Sequence, residues 1–239
     1  MQLRDLHPWD VSPKEAMAIQ QRLASQVVRQ GEPQDVRRAC PERSRRVAGV
    51  DIAVDTARKV GTGAVVVLSY PDLEVVEAAV EEAPLTFPYV PGLLSFRETP
   101  VLREAFRRIA GPIDLLLVDG QGRAHPRRFG LACHLGLLLD VPAIGCAKSR
   151  LIGEHDAPDE AAGSRSDLVD GGEVIGSVLR TRAGVKPVFV SLGHRIGLKE
   201  SEAWVLRCCR GYRLPEPTRL AHQAAGGRVP VARKATAPA

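Results

Sequence analysis

The sequence predicts an α/β protein of a single domain, a mixed sheet flanked by helices, and three observations carry that prediction. Three strand-like runs, Val47 to Val54, Thr62 to Tyr70 and Leu73 to Val80, follow one another with only short turns between them. Helix-like and strand-like segments then alternate toward the C-terminus. The runs Leu115-Leu116-Leu117-Val118 and Ala143 to Cys146 are apolar without alternation, the pattern of strands covered on both faces.

In chain order, Ser12-Pro13-Lys14-Glu15 carries a capping box with Pro at the first helical position. Ala16, Ile19, Leu23 and Val27 then recur at helical spacing, predicting an amphipathic helix that lasts until Gly31. Residues 32 to 46 mix proline and charge with little apolar content and predict a loop. Arg58 to Gly61 and Pro71-Asp72 supply the turns that make the three strands an antiparallel meander. Thr99-Pro100 predicts a helix start, and Gly111-Pro112 stops that helix at Ala110. Asp114 to Val118 reads as a buried central strand, Phe129 to Leu139 as a helix and Ala143 to Cys146 as a strand. Two more strands, Glu173 to Thr181 and Val188 to Ser191, precede a helix from Lys199 to Arg210. The domain is expected to span 1–229, with its core at about 47–212 and a disordered tail over 230–239.

A hydrophobic content of 44% in 239 residues is ample for one packed core. No apolar stretch approaches the ~18 residues of a membrane helix, and the N-terminus lacks the basic-then-apolar order of a signal peptide. A cytoplasmic protein is therefore expected, and separately a monomer. The five cysteines form no CxxC pair, which argues against a zinc ribbon or a disulfide scaffold and leaves buried thiols. A net charge of +5 favours polyanionic partners. Arg37, Arg38, Arg43, Arg45 and Arg46 crowd the approach to the first strand, either to steer phosphates or as a solvated loop.

The chemistry rests on Asp51, Glu98 and Asp119. Asp51 interrupts the first strand, Asp119 ends the apolar run at Val118, and Glu98 closes Pro88-Tyr89-Val90-Pro91-Gly92-Leu93-Leu94-Ser95-Phe96-Arg97-Glu98. A carboxylate on a buried strand is costly unless it is paired or bound to a cation. Each aspartate alone reads as well as a hydrogen-bonded strand-end residue. Together the acids suit Mg²⁺, which prefers oxygen ligands and serves phosphodiester hydrolysis. In Asp119-Gly120-Gln121-Gly122-Arg123-Ala124-His125-Pro126, two glycines follow a buried strand where backbone can approach a flat base. His125 reads as a phosphate contact or proton carrier, or else as a loop histidine tethered to backbone. Tyr89, between two prolines in a chain only 4% aromatic, reads as a wedge for a base stack or as a core anchor. Lys148 lies beyond a strand terminus, where an ammonium can neutralise a phosphate. His194 shares that ambiguity and stays outside the first rank.

These segments, with Gly145-Cys146-Ala147-Lys148-Ser149, Gly193-His194-Arg195 and Gly211-Tyr212-Arg213-Leu214-Pro215-Glu216-Pro217-Thr218-Arg219, resemble the endonuclease V family of deoxyinosine-directed nucleases over nearly the whole chain. The resemblance implies a ribonuclease H-like fold with Asp51, Glu98 and Asp119 as the metal-binding catalytic centre. It implies Tyr89 as wedge on the Pro91-Gly92 loop, with Leu94, Gly120, Gln121, Leu131 and Gly145 around the extruded hypoxanthine, and His125 and Lys148 beside the scissile phosphate. It further implies Mg²⁺, replaceable by Mn²⁺, and hydrolysis of the second phosphodiester bond 3′ to the deaminated base, leaving 3′-hydroxyl and 5′-phosphate ends. His222 stands where some members carry aspartate, so an imidazole is expected as the fourth group of the metal site. An inosine-specific endoribonuclease and a noncatalytic nucleic-acid-binding protein remain the alternatives.

Overall fold

The structure is a computed structural model that describes residues 2–30 and 45–228. Arg37, Arg38 and Arg43 of the basic run, Cys40, and the tail expected over 230–239 lie outside the described residues. Eight strands form one mixed sheet: β1 (Arg45–Asp55), β2 (Val60–Tyr70), β3 (Val75–Pro84), β4 (Leu115–Val118), β5 (Ala143–Ala147), β6 (Arg165–Asp170), β7 (Glu173–Leu179) and β8 (Val188–His194). Their order across the sheet is β3-β2-β1-β4-β5-β8-β7-β6. The strands β1, β4 and β5 run parallel at the centre, and every other pairing is antiparallel. The meander and the buried central strand stand as the sequence predicts them.

Five helices occur among the described residues: α1 (Pro13–Ala24), α2 (Leu94–Arg108), α3 (Leu131–Leu139), α4 (Leu198–Arg207) and α5 (Glu216–Ala225). The two-residue alternation of the central strands sorts their side chains onto two cores. Val47, Leu115, Leu117, Ile144 and Cys146 enter one core, together with Trp204 and Val205 of α4 and Ala221 and Ala224 of α5. Ala48, Val50, Leu116 and Val118 enter the other, with Leu102, Ala105 and Phe106 of α2 and Leu135 and Leu138 of α3. Both faces of β1 and β4 are thus covered, which is why their sequences lack alternation.

Several predicted boundaries need correction. The first helix ends at Ala24 rather than running to Gly31; Val27, though buried, follows it in a turn whose amides bond to Leu23 and Ala24. Arg45 and Arg46 belong to β1 instead of the preceding loop, and Arg46 is held by Glu77 of β3 and the carboxylate of Asp114. The second helix begins at Leu94, not at Thr99, and Pro100 lies inside it. Burial of Phe96, Leu102 and Phe106 along one face outweighs the single backbone donor that Pro100 removes. Leu73 belongs to the turn after Pro71-Asp72, so β3 starts at Val75. The strand β6 and the helix α5 are additions that charged sequence concealed.

The N-terminal segment straps the second core from outside. Leu3, Leu6 and Trp9 pack onto it, and His7 Nε2 lies 2.8 Å from Nε2 of the fully buried His134. The described cysteines are free. Among the described residues no helix is long and apolar enough to cross a membrane.

Candidate active site

The register of β1 against β4 builds the acidic centre. Val47 pairs with Leu115 and Val50 with Val118 in parallel, so the next residues, Asp51 and Asp119, fall side by side. The amide of Asp119 donates to the carbonyl of Val50 at 3.3 Å, which carries the alignment one step beyond the strand. Counting by twos from Val47 and Leu115 puts both acids on the face covered by α4 and α5. On β5, Ile144 and Cys146 point to that face, and Lys148 follows two residues later. Three groups thus meet at the C-terminal ends of the three parallel strands, where ligands of open α/β sheets gather.

The fourth group comes from α5. Its first turn sits directly on Gly49, where a β-carbon would overlap the backbone of Pro217 and Thr218. Glycine in β1 therefore lets the helix backbone approach the sheet. His222, one turn beyond Thr218, reaches back to the acids with Nδ1 2.6 Å from Asp51 Oδ2. The ammonium of Lys148 lies 2.5 Å from Asp119 Oδ2 and 3.5 Å from His222 Nδ1. The buried Asp119 Oδ2 thus has the Lys148 ammonium as its close partner.

Ligand atoms of Asp51, Asp119 and His222 all lie within 4.8 Å of one another. Two carboxylate oxygens and an imidazole nitrogen so close together fit a divalent cation. Glu98 joins them from the opposite side of the sheet, on α2, and stands outside that cluster of three. It is close enough to be repelled: burial first, and then the charges of Asp51 and Asp119, raise its carboxyl to about 8. Burial and Asp51 likewise raise Asp119, while Lys148 and His222 oppose the shift. Like charges crowded in a desolvated site are the electrostatic condition that a bound cation relieves.

Beside the acids opens a cavity of about 390 Å³ with Asp119 and Lys148 in its wall. Tyr89, Pro91, Gly92, Leu94, Gly120, Gln121 and Leu131 all border it. Tyr89 is 70% exposed at the rim, so it is not a core anchor. Gly145 is absent from the lining and lies beneath the Gly120–Gly122 turn, so closely that a β-carbon would strike Gly122 N and Gly120 O. It supports the pocket from below.

His125 lines the cavity with both ring nitrogens occupied. Nδ1 accepts from the Arg127 amide at 3.2 Å, and Nε2 donates to the Gly92 carbonyl at 2.9 Å. Burial holds this imidazole neutral, down at about 4. Both ring nitrogens thus bond to backbone, and a contact with a phosphate oxygen requires one of these bonds to exchange. His194 lies at the far end of β5, paired with Ala143, with Nδ1 accepting from the Val28 amide; it is remote from the acids.

Sequence reasoning passed over Gln20, Ser149, Arg150 and Leu151, which also line the cavity. Gln20 carried a readable signal, a polar residue on the apolar stripe of α1 between Ala16 and Leu23. The three residues after Lys148 carried none.

The family model for endonuclease V matches residues 21–223. A curated endonuclease V of Gloeobacter violaceus is 52% identical over 220 residues, covering 91% of this chain and 86% of the relative. The chain belongs to the endonuclease V family. The crystal structure of endonuclease V from Streptomyces avermitilis, 41% identical, superposes with a TM-score of 0.84 over 95% of this chain and 97% of its own. A single-residue variant of endonuclease V from Ciona intestinalis was crystallised with a 23mer DNA containing an inosine followed by a ribo-adenosine; it is 26% identical with a TM-score of 0.75, over 91% and 98% of the two chains. The eight-stranded sheet is accordingly ribonuclease H-like, and the protein is an endonuclease of a metal-dependent family.

Proposed function

We propose that this endonuclease V acts in DNA repair, recognising hypoxanthine in DNA and hydrolysing the second phosphodiester bond on its 3′ side, with Mg²⁺ as its ion and Mn²⁺ able to replace it. The observation that carries the reading is the shared wall: Asp119 and Lys148 belong both to the acidic centre and to a cavity with an exposed tyrosine at its rim. A base held in that cavity leaves its strand running past the acids. The Ciona complex with inosine-containing DNA supports the same substrate for its relative here.

On this reading Asp51, Asp119 and His222 would hold the ion, with the carboxylate form of Glu98 as a further ligand. A bound divalent ion supplies positive charge for the scissile phosphate and acidity for an attacking water. Lys148 moves from Asp119 to a phosphate oxygen, where its charge offsets the charge that builds up as the bond breaks. Tyr89 enters the base stack, and unstacking, which costs a few kcal/mol, is partly offset by the inserted ring. Leu94 and Leu131 contact the faces of the extruded base, Gly120 and Gln121 its edge. His125, which also braces the loop that holds Tyr89, stands beside the scissile phosphate on this reading.

Matched strands that carry deoxyinosine or inosine at one position test the substrate. Faster cleavage of the deoxyinosine strand is expected. A strong preference for the ribose strand would overturn the assignment to DNA repair in favour of RNA processing.

A further inference from the structure

We propose that Gln20 and Arg127 are positioning residues that fix the Tyr89 loop, so that a side chain of the opening helix governs how well the enzyme opens a duplex at the lesion. The inference rests on the reading of Tyr89 as the wedge. Residues 88–91 before Gly92 form neither helix nor strand. Within this stretch, the amide of Leu93 donates to the carbonyl of Val90 at 2.9 Å. Val90 packs against Phe87, Leu93 and Phe96, and the polar anchor is the Gly92 carbonyl, on which three side-chain donors converge: Arg127 Nη2 at 2.7 Å, His125 Nε2 at 2.9 Å and Gln20 Nε2 at 3.0 Å.

Gln20 organises this convergence. It is fully buried, and both polar atoms of its amide are engaged: Nε2 also donates to the Phe129 carbonyl at 3.1 Å, and Oε1 accepts from Arg127 Nε at 2.5 Å. One side chain thus ties the wedge loop to the segment that leads into Gly130 and Leu131, on another wall of the cavity. Arg127 closes the ring by bonding both Gln20 and Gly92. A wedge offsets unstacking only if the loop behind it does not yield, and hydrogen bonds in a buried, low-dielectric setting stiffen the loop before the substrate arrives. A purely structural glutamine would lower stability and slow every substrate alike.

The test uses Gln20→Met, which keeps the length of the side chain and removes its hydrogen bonds, and the half-buried Arg127→Met as a second route should the first fail to fold. Each is assayed on a deoxyinosine duplex and on the same strand alone. For the duplex, KM is expected to rise about tenfold, the scale of the single bond that each side chain makes to the Gly92 carbonyl, and for the single strand by less than about twofold. In a Tyr89→Ala background the duplex effect is expected to shrink to less than about twofold, since the two changes act through one loop. Hydrogen exchange at the Leu93 amide is expected to accelerate in both variants. Equal losses on the two substrates, an undiminished effect in Tyr89→Ala, or unchanged exchange at Leu93 would overturn the proposal. If the wild type cuts neither substrate, the functional reading fails and the Leu93 exchange alone decides whether the clamp exists.

Discussion

At the scale of single residues, the chemistry depends on five side chains, Asp51, Asp119, Glu98, Lys148 and His222, that repel or attract one another. Asp51 and Asp119 share a face because the parallel register of β1 and β4 leaves no other place for them. Replacing Asp51 with alanine removes one like charge as well as one ligand, so the folded state is expected to persist while cleavage falls more than about 10²-fold. Circular dichroism beside a nicking assay checks both halves, and an unfolded variant would mark Asp51 as a structural acid. Glu98 yields a pH prediction. With its carboxyl raised to about 8, first by burial and then by the two aspartates, it is mostly protonated at neutral pH in the metal-free protein. Apparent affinity for a divalent ion should therefore tighten as pH climbs toward 8, with proton release on binding measurable by calorimetry in buffers of different ionisation enthalpy. Glu98→Gln should flatten that dependence.

At the scale of elements, α5 positions His222, and Gly49 seats α5. A methyl group added at Gly49 has the Pro217 and Thr218 backbone in its way, and overpacking of this kind costs about 1–3 kcal/mol. Gly49→Ala should lower the melting temperature and move His222 off Asp51, read as loss of the hydrogen-bonded imidazole signal by NMR. An unmoved signal would mean that the strand, and not the helix, gives way. The sequence made the central elements legible for the same reason that they are central: β4 and β5 are covered on both faces and must be apolar throughout. The helix α5 was hidden because Glu216, Arg219 and His222 dilute its apolar face, and because its place is set by a glycine in a distant strand. The sequence predicts too late a start for α2 because Pro100 resembles a first-turn proline. Asp51, Asp119 and Lys148 stood out as polar residues in or just beyond apolar strands. The buried Gln20 broke the apolar stripe of α1 in the same way, but no neighbouring motif gave that break a meaning.

At the scale of the whole molecule, three histidines tie folding to pH. Burial holds His125 and His194 down at about 4 and His134 well below its ordinary value, whereas the unfolded chain protonates all three near 6.5. Between those values the unfolded state binds more protons, so the stability they contribute is fully present above about 6.5 and is lost as pH falls toward 4. The raised carboxyls of Glu98 and Asp119 act in the opposite sense over the same interval, so the histidine share is read from wild type against His194→Gln: the fall in unfolding temperature from pH 7 to pH 5 is expected to be smaller in the variant, and an equal fall would mean that the ring is solvated. The net charge of +5 adds a second expectation: affinity for DNA should fall log-linearly with salt on either a catalytic or a binding-only account, so salt dependence does not separate them. Strand scission does. The most direct measurement is cleavage of an end-labelled duplex containing one deoxyinosine, by wild type and by Asp51→Ala, in Mg²⁺, in Mn²⁺ and in chelator, beside an undamaged duplex. The expected result is a single nick at the second phosphodiester bond 3′ to the lesion, dependent on the ion and absent from both the variant and the undamaged control; an intact lesion strand under all these conditions, or a nick that survives Asp51→Ala, would contradict the assignment of the acidic centre.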